Sequence, residues 1–190
     1  MAAGDRRLVP ASATSSAHAQ RRAGLATTAL ESYGLLWLGT LLAAIVAIPI
    51  AGEVRTFMGL RLTTAPSGSA RMAGQLAADN LRAAAVPLLL AALSNGRRRW
   101  LPLVGDLVVS ASLTVNVALG GLALGAYGPR LVPYLPQWPL EWGGLALALA
   151  GWRRARHGRR DACELLLLAI GAAIFICPAA LLETYAVPQA

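Results

Sequence analysis

The 190-residue chain contains 17 basic residues, all of them arginine, and 9 acidic ones, for a formal net charge of +8, while 56% of its residues are hydrophobic and 14% are charged. Together with a mean hydropathy of +0.55, this leaves too little polar surface to clothe a soluble domain of this size. A basic excess can mark a nucleic-acid binder, but here the arginines flank apolar runs on short loops and do not gather on one aromatic-rich face, so nucleic acid is excluded as a partner and the bilayer with its anionic headgroups is expected.

Residues 1–28 are rich in Ala, Ser, Arg and Gly without an apolar period, which predicts a disordered cytoplasmic tail able to recruit a partner. Residues 29–190 then read as an all-α, polytopic transmembrane helical bundle of about five spans. The first, near residues 33–52, is long enough to cross about 30 Å of hydrocarbon; with no small-residue cleavage site before it, it reads as an uncleaved signal anchor. The second, near 76–94, is short, because its apolar stretch is only the eleven residues from Ala83 to Leu93, with Pro87 inside. Charge asymmetry keeps it. Five spans with the N-terminus inside and the C-terminus outside place twelve of the seventeen arginines on one face: Arg6, Arg7, Arg21, Arg22, Arg97, Arg98, Arg99, Arg153, Arg154, Arg156, Arg159 and Arg160. Without the short span the Arg97–Arg99 triplet and the later cluster would fall on opposite faces, against the positive-inside tendency. The amphipathic stretch from Met72 to Asn80 is expected to extend this helix outward as an interfacial piece.

The remaining spans are predicted near residues 101–127, 138–152 and 162–184. Gly121 and Gly125 form a small-xxx-small pair in the third, and Gly143 and Gly144 open the fourth. Such residues serve close helix approach, within one chain or between copies. Cys163 and Cys177 lie on one helix, about 21 Å apart by helical rise, too far to bond to each other; they read as small packing residues. No internal repeat is visible.

Ionisable groups in or near a span are functional candidates because an unpaired charge there costs several kcal/mol. The alternating topology carries Asn80, Arg82, Arg130, Glu141 and Glu183 to one outer layer. An ion-pair network that pins helix ends is one reading of this set. The other is a binding or catalytic site in which Glu141 and Glu183 are the working carboxylates and Arg82 their counter-charge. At the inner boundary Asp106 is expected to pair with Arg97, Arg98 and Arg99 or with the Arg153 cluster, and Asn116, further along the same helix, reads as an interhelical hydrogen-bonding residue. Glu164 lies at the inner end of the fifth span. With His18 in the tail and His157 among arginines, neither a catalytic triad nor a metal site is expected. The missing lysine removes a phosphate-binding loop. No cofactor is implied.

The segment Tyr134-Leu135-Pro136-Gln137-Trp138-Pro139-Leu140-Glu141-Trp142 and the ending Ala179-Ala180-Leu181-Leu182-Glu183-Thr184-Tyr185-Ala186-Val187-Pro188 resemble the stage II sporulation protein M family of integral membrane proteins. There a Leu-Pro-His-Gly-x-x-Glu-like segment opens an apolar helix, a basic loop follows, and an Ala-x-x-Glu-x-(Tyr)-x-x-Pro-like tail closes the last helix. Asn80-x-Arg82, at the start of a short helix, fits as well, and the resemblance covers about residues 80–188. Asn80, Pro136, Glu141, Glu183 and Pro188 match, whereas Gln137 and Trp138 stand where the family has His and Gly. The resemblance implies a non-catalytic scaffold or subunit in a bacterial cytoplasmic membrane, joined to other membrane or extracytoplasmic proteins. Its alternative implication is a permease-like subunit served by an ABC-type ATPase in export, maturation or immunity. An intramembrane enzyme using the two outer carboxylates is the third expectation, and homo-oligomerisation stays open.

Overall fold

The computed structural model describes residues 11–59, 68–94, 100–158 and 161–186, with side chains from residue 23 onward except at 133 and 134. Every regular element among them is helical: α1 (Ala11–Ala47), a 3-10 turn (Ile48–Ile50), α2 (Ala51–Met58), α3 (Ala70–Leu93), α4 (Leu101–Tyr127), a second 3-10 segment (Gly128–Tyr134), α5 (Trp138–Arg156) and α6 (Ala162–Tyr185). The all-α bundle expected from the sequence is the observed fold.

Helix α1 starts at Ala11, inside the stretch expected to be a disordered tail to residue 28. Residues 11–28 hold strong helix formers such as Ala, Arg and Gln, and elongating a helix already nucleated by the packed span adds a hydrogen bond for each residue ordered. Pro49 lies within the 3-10 turn that ends α1, and α2 continues beyond it, packing Val54 with Ala47 and Ala126. Ser69 caps α3 by accepting from the Met72 N–H at 3.2 Å, and Asp161 caps α6 by accepting from the Cys163 N–H at 2.9 Å; each side-chain oxygen satisfies a donor that the helix itself leaves open. The interfacial piece expected at 72–80 is continuous with the helix that follows, so α3 is 24 residues long, about 36 Å of rise.

Contacts between helices fix their directions. A Cβ added to Gly39 would meet Val117, one at Gly121 would meet Ala43 and the Thr40 carbonyl, and one at Gly125 would meet Ala47 and the Ala44 carbonyl. Helices α1 and α4 therefore run parallel and in backbone contact, which assigns the Gly121/Gly125 pair to packing within the chain. Gly144 against Ile176, with Gly151 against Leu168, sets α5 antiparallel to α6. Asn80 beside Glu141 and Leu88 beside Gly151 set α3 parallel to α5. Helices α1, α4 and α6 thus run one way, α3 and α5 the other.

Among the described residues, four segments are long and apolar enough to cross a membrane: Ala23–Met58, Ala70–Leu93, Leu101–Val132 and Ala162–Tyr185. The second of these is the one that length alone would have rejected. Leucines and isoleucines such as Leu35 (58% exposed), Leu107 (70%) and Ile174 (65%) cover the outside of the bundle, a surface suited to lipid and not to water. Helix α5 is different. It carries Glu141 in its first turn and Arg153, Arg154 and Arg156 in its last, and buries ten of its residues in contact with α1, α3 and α6. Because neighbouring helices cover it, it tolerates polar ends that a lipid-facing helix could not. Its small residues, with Leu36, Ala84, Trp142, Leu145, Ala172 and Ile176, make the main core. Cys163 and Cys177 are exposed, outside the helix contacts in which they were expected to pack.

Candidate functional site

Helix α4 approaches α5 through tryptophans, not through backbone contact. A Cβ on Gly105 would lie 2.3 Å from the Trp152 ring, and one on Gly120 would lie 3.3 Å from the Trp138 ring. Glycine is needed at Gly105 because an indole occupies the side-chain space. The spacing is matched: fifteen residues separate the glycines and fourteen the tryptophans, so both pairs meet on one face of two antiparallel helices, about four turns apart.

Between these struts lies a cavity of about 220 Å³, lined by polar groups from three helices, Asn80, Asn116 and Glu141, and by Trp138 and Trp142. Leu119, Leu145 and Ile176 supply apolar wall. The Asn80 Nδ2 group donates to Glu141 Oε1 at 2.8 Å, joining α3 to the first turn of α5, where the helix dipole favours a carboxylate. Asn116 Nδ2 donates to the Ser112 carbonyl at 2.8 Å. This amide bonds its own helix and lines the cavity, and so does not make the interhelical bond expected of it. Trp142 is 6% exposed, packs edge-on against Trp138 with ring centroids 6.4 Å apart, and its buried indole N–H has no hydrogen-bond partner. Such orphaned donors are rare in folded proteins and call for a reason.

Of the five outer-layer candidates, the structure brings Asn80, Glu141 and Glu183 together; Glu183 lies within electrostatic reach of Glu141. Arg82 turns away and pairs with Asp79 at 2.6 Å, both side chains largely exposed. Two positions along a helix is a rotation of about 200°, so Asn80 and Arg82 cannot face the same neighbour. Arg130 is exposed in the second 3-10 segment and makes no ion pair with the described residues. The expected outer network of two carboxylates and two guanidiniums is therefore absent from the described structure.

The opposite end is the reverse case. Arg153 pairs with Glu31 of α1 at 3.1 Å and reaches Ser32 Oγ at 3.3 Å. Arg154, only 6% exposed, forks onto Glu164 of α6. Arg156 pairs with Asp106 of α4 at 2.8 Å, and the same carboxylate accepts from Trp152 Nε1 at 3.0 Å. Three guanidiniums on the last turn of α5, those of Arg153, Arg154 and Arg156, thus hold three different helices. Asp106 meets the Arg153 cluster; Arg97, Arg98 and Arg99, its other expected partners, lie outside the described residues, as do Arg6, Arg7, Arg159, Arg160 and Pro188. Reasoning from the sequence passed over Glu31 and Trp142, and read Trp138 only as a departure from the family motif. The paired Gly/Trp spacing was the available signal.

No protein-family model matches the chain, and no curated protein or solved structure matches it either.

Proposed function

We propose that this chain is a non-catalytic integral subunit of a bacterial cytoplasmic membrane complex of the stage II sporulation protein M type, with its arginine end inside and its carboxylate end outside, assembling with other membrane or extracytoplasmic proteins. The observation that carries this reading is the state of the interior. Between the two ends the bundle is filled by Leu36, Ala84, Leu145, Ala146, Ala148, Ala172 and Ile176, and then by Ala91, Val109, Trp152 and Ala155. The polar cavity thus meets a packed apolar layer, which supports a static frame over a permease-like path. The guanidiniums of Arg153, Arg154 and Arg156 are spent on internal ion pairs, which weakens the case for their serving as the dock of an ABC-type ATPase.

Affinity purification of the tagged chain in mild detergent, followed by mass spectrometry, tests the proposal. Recovery of extracytoplasmic or membrane proteins is the expected result; a co-purifying ABC-type ATPase would establish the transport alternative instead. The orientation is tested in a background lacking Cys163 and Cys177. A cysteine at Asn95 should be shielded from an impermeant thiol reagent added outside, and labelling there would overturn the five-span arrangement.

A further inference from the structure

Among the described residues, no positive charge lines the cavity. Among the described residues its carboxylate, Glu141, accepts a hydrogen bond from the neutral Asn80 amide alone, Glu183 is close by, and the nearest arginine in sequence to Asn80, Arg82, is committed to Asp79 on the far face. A carboxylate held among Leu119, Leu145 and Ile176 without a counter-charge is costly in its ionised form, and either a proton or a bound cation relieves that cost. The residues lining the cavity offer acceptors for a cation with hydrogens to give: Glu141 has a second carboxylate oxygen, and Asn80 and Asn116, whose amide nitrogens donate to Glu141 and to the Ser112 carbonyl, each keep an amide oxygen. Two indole rings line the same space, and tryptophan faces attract ammonium groups. The buried Trp142 N–H, on one of those rings, lacks an acceptor.

We propose that this cavity binds a small primary ammonium compound bearing an oxygen acceptor, the ammonium seated on Glu141, Asn80 and Asn116 and the oxygen accepting a hydrogen bond from the Trp142 indole N–H. A volume of about 220 Å³ holds an amino alcohol of a few heavy atoms with water to spare, a water occupying about 30 Å³ in the liquid. The same chemistry is offered by a free amino alcohol and by an ethanolamine lipid headgroup.

The probe is ethanolamine hydrochloride titrated into the full chain in detergent, read by tryptophan emission and calorimetry. Tetramethylammonium keeps the charge without N–H donors, and N-acetylethanolamine keeps the oxygen without the charge. Saturable binding of ethanolamine at least tenfold tighter than of either control is expected. Glu141→Gln should weaken it at least tenfold and Asn116→Ala at least threefold, whereas Glu31→Gln at the opposite end should leave it within twofold. If Glu141→Gln does not fold, the wild-type comparison of the three probes and Asn116→Ala decide. Absence of saturable binding, equal affinity for all three probes, or an unchanged affinity in a folded Glu141→Gln protein would overturn the proposal. Repeating the titration in nanodiscs separates the sources. Binding in phosphatidylcholine that is lost in phosphatidylethanolamine identifies the headgroup as occupant, and equal binding in both identifies the free amine.

Discussion

The two ends of α5 treat charge in opposite ways. At its last turn three guanidiniums each meet a carboxylate from a different helix, Glu31, Glu164 and Asp106. At its first turn a carboxylate beside a polar cavity meets a neutral amide and lies within electrostatic reach of a second carboxylate, Glu183. Both ends belong to the most enclosed helix of the bundle, so burial alone does not explain the contrast. The arginine end uses charge to define which helices neighbour which, because a guanidinium fork accepts a partner only in a narrow geometry. At the carboxylate end no described basic residue pairs with Glu141, whose described hydrogen-bond partner is the neutral Asn80 amide.

The largest test of this contrast is Arg154→Ala. It strands Glu164 beside a buried site, and losing one member of a buried pair costs about 3–5 kcal/mol; thermal unfolding in detergent should show a clear drop, and an unchanged midpoint would mean that the pair does not hold α5 to α6. Gly125→Ala comes next. The new Cβ would lie 2.2 Å from the Ala44 carbonyl, forcing α1 from α4 at a cost of about 1–3 kcal/mol, whereas Gly34→Ala, which meets nothing within 4 Å, should be neutral or stabilising by up to about 1 kcal/mol. Trp152→Phe removes the hydrogen bond to Asp106, leaving Arg156 on that carboxylate, and also vacates the space the buried indole fills over Gly105, a loss of about 2 kcal/mol measured the same way. Glu141→Gln should change stability least, by under about 1 kcal/mol, since the amide oxygen still accepts from Asn80 and an uncompensated charge is removed. A loss as large as that of Arg154→Ala would show that the carboxylate end is a structural clamp as well.

Much of the fold was legible in linear form. Apolar run lengths located the five long helices, and arginine asymmetry argued for keeping the short second one, whose helix proves longer than its apolar core because the amphipathic stretch before Ala83 continues it. The site was legible in part. Alternating direction brings Asn80, Glu141 and Glu183 to one end whatever the packing, but it does not say which way a side chain turns. Arg82 was therefore grouped with them although helical rotation sends it to Asp79. Asn116 was assigned a bond to another helix although its own Ser112 carbonyl is in reach.

By itself, the sequence determined an all-helical chain with membrane-length apolar segments, in which most arginines and the carboxylates Glu141 and Glu183 segregate to opposite ends, because hydrophobic length and charge distribution are one-dimensional properties. Only the tertiary structure decided that Gly121 and Gly125 meet α1 of the same chain, that each α5 arginine has its own partner, and that α4 and α5 stand apart around a polar cavity. Those outcomes depend on rotation about each helix axis and on which helices touch, and both are set by side-chain packing among segments far apart in the chain.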